Sequence, residues 1–241
     1  DAGREDLKLP TTVYANSFWI REGKKMSKTL GNFIDLETIH AYCDRFGLDA
    51  FRWYMLTQGP LSATDADFAY EHFVEVYNAD LANGFGNAHS RVTNMIAKYL
   101  GGEVPRQEEN ADLGVDWGAT IAQKTAEAVS AMGAVDVAGA LKAGLEVSNA
   151  VDLFINETRP FTLAKDEANL PRVGTILYQC AEALRIAAVL MRPAMPDAMD
   201  AALERLGSPI RDGQTLQELT RWGLLQPGTS VEKGDALFPR A

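Results

Sequence analysis

The sequence predicts a mostly α protein: a small α+β connecting module over residues 1–62, followed by an all-α helical bundle over 63–241. Three observations carry this. Short aromatic and β-branched runs crowd the first twenty residues, where they read as extended chain. From Leu61 onward the apolar residues recur at helical spacing, with prolines and glycines as punctuation. The composition, 46% hydrophobic and 23% charged, is that of a chain able to bury a sizeable core.

The elements follow in order. Val13-Tyr14-Ala15 and Phe18-Trp19-Ile20, separated by Asn16-Ser17, read as a hairpin. A basic segment bracketed by Gly23 and Gly31 comes next. Asp35 or Thr38 starts a helix ending near Arg45-Phe46-Gly47, and a second helix over 48–57 stops at Gly59-Pro60. Ser62, Thr64 and Asp65 offer caps ahead of Phe68, Phe73, Val76 and Tyr77, with Asp65 and Asp67 read as helix-start charges. Helix then continues over 78–99 and closes at Gly101-Gly102. The stretch 103–116, with Glu103, Glu108, Glu109, Asp112 and Asp116, reads as a surface loop. Helices follow over 117–132, 136–158, 169–191 and 196–206, with Pro160, Pro171, Pro193 and Pro196 at their ends. Residues 216–241 read as turns and short extended pieces returning to the body. Phe68, Leu81, Leu145, Leu153, Ile176 and Leu184 are the expected core of the bundle.

The formal net charge is −10, but residues 1–60 are charge-balanced, so the acidic excess lies in 61–241. Lys8, Arg21, Lys24, Lys25 and Lys28 face only Glu22 in the segment around the hairpin. A protein of this kind binds a phosphate locally while repelling polyanions elsewhere. No apolar run reaches the roughly 18–20 residues of a membrane span, and no signal peptide is read. Cys43 and Cys180 stand apart, without metal or redox spacing, which makes the cytoplasm the expected compartment. His40, His72 and His89 are read as structural or surface residues. The polar, charged opening at Asp1, without a Met, reads as part of a longer protein.

Gly23-Lys24-Lys25-Met26-Ser27-Lys28-Thr29-Leu30-Gly31-Asn32 is the most informative segment. Three ammonium groups within five positions repel one another and are best stabilised by an anion among them. The flanking glycines let the loop change backbone state at little steric cost. Lys25-Met26-Ser27-Lys28-Thr29 resembles the Lys-Met-Ser-Lys-Ser loop of the class I aminoacyl-tRNA synthetases, with Thr29 keeping the hydroxyl of the usual Ser. The resemblance implies an ATP-binding loop of Lys25, Met26, Ser27, Lys28 and Thr29, in which Lys25 and Lys28 are the catalytic, phosphate-side lysines.

Asn83, Asn87 and Arg91, spaced i, i+4, i+8, form one polar stripe on a helix. The run from Asn78 to Arg91 resembles the anticodon-domain helix of methionyl-tRNA synthetases, in which the matching Asn and Arg read the first anticodon base, a cytosine. Asn156-Glu157-Thr158-Arg159-Pro160-Phe161, continuing through Leu163-Ala164-Lys165, resembles that family's Pro-Trp-x-Leu-Ala-Lys stretch. There the aromatic stacks on an anticodon base; Phe161 replaces the Trp and offers a smaller π-face. Leu237-Phe238-Pro239-Arg240 resembles the family's C-terminal return segment.

The resemblance covers essentially the whole chain but only the C-terminal half of the family's protein. It implies a lysine-loop module followed by an anticodon-binding bundle, part of an enzyme that makes methionyl-AMP from methionine and ATP, with Mg2+, and transfers methionine to tRNA(Met). Asn83, Asn87, Arg91 and Phe161 are then the residues that read the CAU anticodon. Methionine and ATP reach the chain through a catalytic half that it lacks, so the fragment alone is expected to be inactive. No metal site and no membrane partner are expected. The rival readings are a cysteine-type or branched-chain synthetase, and a stand-alone tRNA-binding protein without ligase activity.

Overall fold

A computed structural model describes residue 10 and residues 12–61, 64–108 and 113–241. Lys8, Ser62, Glu109 and Asp112, singled out in the sequence, lie outside the described residues. Among the described residues the first regular element is a hairpin, later than the sequence pattern placed it. Strand β1 (Trp19–Arg21) pairs antiparallel with β2 (Lys24–Lys25). The turn is Glu22-Gly23, both at positive φ (55° and 69°), which suits the right-handed twist of the strands. Asn16-Ser17 has no such turn. The second partner of β1 is β3 (Ala66–Asp67), which runs parallel to it.

Helix α1 (Leu36–Phe46) starts where Asp35 accepts the backbone N–H of Thr38 at 2.8 Å. Helix α2 (Leu48–Gln58) comes directly after Gly47. The next helix begins later than expected. Asp65 and Asp67, read as helix-start charges, instead accept backbone N–H groups of the hairpin region, and α3 (Tyr70–Val76) begins behind β3. It passes into a π-helical segment, Tyr77–Phe85, in which Gly84 leaves helical geometry (φ −81°, ψ −109°). Helix α4 (Gly86–Tyr99) resumes regular spacing and ends at Gly101 and Gly102, both at positive φ. The expected single α-helix over 78–99 is therefore two kinds of helix in series.

The bundle proper is α5 (Trp117–Gly133), α6 (Val137–Thr158), α7 (Pro160–Leu163), a 3-10 turn (Glu167–Asn169), α8 (Leu170–Met191), α9 (Pro196–Arg205) and α10 (Leu216–Leu219). Asp116 and Asp136 cap α5 and α6 by accepting the N–H groups of Ala119 and Gly139. Prolines open α7, α8 and α9, where the missing N–H is not needed. Helix α8 runs through the middle, buried from Val173 to Met191 apart from Gln179. Against the sequence expectation, Glu167–Met191 is long and apolar enough to cross a membrane by composition, yet 94% of its window is buried inside the protein. Its apolar residues face other helices on every side. Gly144 lets α6 approach α8: a Cβ there would lie 2.7 Å from Met191 Cγ and 2.9 Å from the Ala187 carbonyl oxygen.

One apolar core runs from Phe46 through the bundle to Phe238, so α1 and α2 share it with the later helices. Tyr42, Phe46 and Tyr54 meet Phe68, Phe73 and Tyr77 ring to ring across the expected boundary at 62/63. Phe68, Leu81, Leu145, Ile176 and Leu184 are buried as read from spacing. Leu153 is not: it is 59% exposed, on the outer face of α6 with Asn149 and Asn156. The chain end returns as expected, with Phe238 buried and the Tyr77 hydroxyl donating to the Pro239 carbonyl at 2.6 Å.

Candidate functional site

The lysine loop hangs on a platform that the hairpin and α2 build together. The Trp19 ring lies 6.0 Å from Tyr54 of α2 and 5.5 Å from Phe68, which fixes β1 on the core. Gly59 leaves room for it, since a Cβ there would collide with the Met55 carbonyl oxygen and stand 3.2 Å from Trp19 Cζ2. The two carboxylate oxygens of Asp67 accept the turn amides of Glu22 and Gly23, each at 3.0 Å. A strained turn with both N–H groups bonded to one carboxylate gives the lysine loop a rigid base.

Beyond β2 the chain makes two tight turns in succession. Leu30 N–H donates to the Ser27 carbonyl (3.1 Å) and Gly31 N–H to the Lys28 carbonyl (3.2 Å), with Gly31 at φ 67°. Met26 is half-buried and packs against the core, whereas Lys24, Lys25, Lys28 and Thr29 are exposed. The Lys25 ammonium stands 4.4 Å from the centre of the Phe18 ring, and the Lys28 ammonium 5.8 Å from that of Phe33. Each charge rests on an aromatic face, the arrangement of a cation–π pair. Among the described residues neither lysine has a carboxylate within salt-bridge distance. The loop thus presents two positive charges held apart and open to an anion.

The polar stripe is built differently from its sequence reading. Asn83 lies in the π-helical segment and is exposed; Asn87 and Arg91 lie one turn apart on α4. The wide turn and the kink at Gly84 interrupt the i, i+4, i+8 register, so only Asn87 and Arg91 keep strict α-helical spacing. Arg91 is engaged: its guanidinium donates to Asp152 and, at 2.9 Å, to Asn156 Oδ1, both on α6. Asn156 in turn donates to Asp152 at 3.1 Å. The cluster is partly exposed, with fractional side-chain exposures of 29% for Arg91 and 37% for Asp152. Sequence reasoning missed Asp152, although its position one turn before Asn156 is a usable signal.

Phe161 sits just past the end of α6. Arg159 takes the left-handed conformation (φ 49°, ψ 54°) and turns the chain so that Pro160 can start α7. The turn leaves Phe161 43% exposed rather than packed in the core. The upstream anchor of the π-helical segment is polar: the Trp53 indole donates to Asp80 at 3.0 Å. Burial holds the Asp80 carboxyl above the usual carboxylate range, against the opposing pull of that bond. Among the described residues no three His, Cys, Asp or Glu side chains come together as metal ligands.

The sequence profile of the family described as tRNA synthetases class I (M) matches residues 2–93, which include the lysine loop, the π-helical segment and the Asn87–Arg91 turn. A methionine–tRNA ligase of Caldanaerobacter subterraneus subsp. tengcongensis is 37% identical over 97% of this chain and 36% of the relative. One from Streptomyces coelicolor is 36% identical over 98% of this chain and 44% of the relative. The crystal structure of Mycobacterium tuberculosis methionyl-tRNA synthetase bound by methionyl-adenylate superposes with a TM-score of 0.85 at 30% identity, over 97% of this chain and 45% of that one. The chain therefore spans less than half the length of these relatives. Over nearly all of its own length, it is homologous to the C-terminal part of the methionyl-tRNA synthetases of class I.

Proposed function

We propose that this chain is the part of a methionine–tRNA ligase that carries the phosphate-side lysine loop and reads the anticodon. The whole enzyme would join methionine to ATP as methionyl-AMP and pass the methionyl group to tRNA(Met). In the first step the methionine carboxylate attacks the α-phosphorus and pyrophosphate leaves. No proton has to move, so the catalytic demand is positioning and stabilisation of the charge that spreads onto the leaving group. Lys25 and Lys28 are suited to this, being compact charges on mobile stems. Met26, Ser27 and Thr29 shape the loop that presents them. ATP would arrive as its Mg2+ complex, and the adenosine and methionine sites would belong to the rest of the enzyme.

On this reading residues 1–62 serve the activation step and 63–241 serve tRNA selection in the cytoplasm. Asn87 and Arg91, with Asn83 beside them, would take the Watson–Crick edge of a splayed-out cytosine, and Phe161 would stack on a base of the same loop. A base that takes the Arg91 guanidinium must exchange with Asp152 and Asn156.

The observation that carries the proposal is the loop itself: two lysines three residues apart, exposed, resting on aromatic faces and, among the described residues, unneutralised by carboxylates. In the full-length enzyme Lys28→Ala is expected to slow methionyl-adenylate formation by about a hundredfold or more, the scale of one lost preorganised charge donor. Methionine binding should hardly change. Pre-steady-state adenylate formation measures this, and a rate within about threefold of wild type would remove the assignment.

A further inference from the structure

We infer that Asn32 is a positioning residue for the lysine loop, acting through the backbone on either side of Met26. Its side chain makes two bonds across the loop. Oδ1 accepts the Ser27 N–H at 2.8 Å, and Nδ2 donates to the Lys25 carbonyl at 3.3 Å. The orientation of the carboxamide is fixed by chemistry, because an N–H needs an acceptor and a carbonyl needs a donor.

The carbonyl of one residue and the N–H of the residue two further on are the groups that a parallel neighbour strand would engage. The Asn32 carboxamide thus takes the place of a peptide unit of a strand that is not there. It continues the ladder of β2 past its last residue and holds 25–27 extended, just before the chain turns at 27–30 and 28–31. It also closes the loop on itself, since Asn32 comes directly after Gly31, whose left-handed backbone brings the chain back. Met26, packed against the core, is the third point of attachment.

Two lysines that must meet one polyphosphate need a fixed separation and direction. Their side chains are mobile and exposed, so the backbone between them has to supply the order. Without Asn32 the Ser27 N–H and the Lys25 carbonyl lose these protein partners. The extended run 25–27 then keeps Met26 and the turn bonds at the Ser27 and Lys28 carbonyls, but no bond across the loop from residue 32. The inference rests on the lysine-loop reading proposed above and extends it to a residue outside the Lys-Met-Ser-Lys run.

The test uses the full-length enzyme with Asn32→Ala beside Lys28→Ala. Asn32→Ala is expected to slow adenylate formation at least tenfold, with the KM for methionine within twofold of wild type and the melting temperature unchanged. In the chain itself, the Ser27 amide should exchange with solvent markedly faster. An adenylate rate within twofold of wild type for Asn32→Ala, with Lys28→Ala slowed, would overturn the role of Asn32 and leave the lysine reading standing. Equal losses in methionine binding and in rate would also overturn it, making Asn32 a merely structural residue. If Lys28→Ala itself keeps its rate, the reading of the loop falls, and the role of Asn32 with it.

Discussion

Glu182 and Arg185 lie one turn apart on α8 and form an ion pair closed to solvent on both sides. Two guanidinium nitrogens meet two carboxylate oxygens at 3.0 and 2.7 Å. The spare capacity of both groups fastens a separate strap of chain. Arg185 donates to the carbonyls of Leu219 and Arg221, and Glu182 accepts the N–H groups of Gly223, Leu224 and Leu225.

Arg185→Leu should therefore destabilise the protein by about 3–5 kcal/mol, the cost of leaving a buried charge without its partner. Replacing both residues by apolar ones is not expected to recover this. Five backbone groups of the strap would lose their partners, each at a cost of about 1–3 kcal/mol. Urea melts of the single and double variants check the point. A double variant as stable as wild type would show that the strap finds other partners.

His89, fully buried on α4, has Nε2 at 3.1 Å from the Ala202 carbonyl, so the neutral ring donates there and leaves Nδ1 without a partner among the described residues. Burial lowers its pKa to about 4, from 6.5. The folded state thus favours the neutral ring. The stability this gives is complete above pH 6.5 and is lost as the pH falls toward 4, by on the order of 3 kcal/mol in all. In His89→Gln, whose amide can still donate to Ala202, that part of the acid loss should vanish. Comparing melts of the two proteins from pH 7 to pH 4 isolates it from the titrating carboxylates.

Arg91→Ala should reduce discrimination between tRNAs with CAU and UAU anticodons by about 1–3 kcal/mol, if its guanidinium reads the base. A phosphate contact would instead weaken both tRNAs equally and lower the salt slope by about one unit. Stability should change little, because the pair with Asp152 is partly exposed. Phe161→Ala should cost about 1–3 kcal/mol in tRNA binding, the worth of one base–aromatic stack. Aminoacylation of both tRNAs at two salt concentrations separates the cases.

A protein trimmed to residues 63–241 should still melt cooperatively, since α5, α6, α8 and α9 keep their mutual contacts. It should melt well below the whole chain. Phe68, Phe73 and Tyr77 would lose Tyr42, Phe46 and Tyr54, and Asp80 would lose the Trp53 indole. Thermal circular dichroism of the two proteins gives the difference. Equal melting temperatures would show that the aromatic contacts across residue 62 add nothing.

Helices that bury one face and begin with Asp or Pro are legible in the sequence almost to the residue, as at 117, 136 and 196. The features that escape it are set by partners distant in sequence. Asp65 and Asp67 look like helix caps until the amides of Phe18, Glu22 and Gly23 come within reach. Leu153 fits the apolar spacing of α6 but falls on its outer face and stays exposed. At the candidate site, Lys25, Lys28 and Phe161 lie exposed as a binding role requires. The engagement of Arg91 by Asp152 and Asn156 depends on how α4 crosses α6, which spacing within one helix does not contain.

Each residue in an α-helix turns the chain by about 100°, and a wide π-helical turn accommodates a residue that a regular helix would have to place elsewhere. Tyr77–Phe85 therefore sets the rotational phase between α3, locked in the aromatic cluster, and α4, which carries Asn87 and Arg91. A regular α-helix of the same residue count over this segment would turn Arg91 about a quarter of a circle away from Asp152. The direction in which this face looks is kept by the pitch of this segment, as a thread keeps its start.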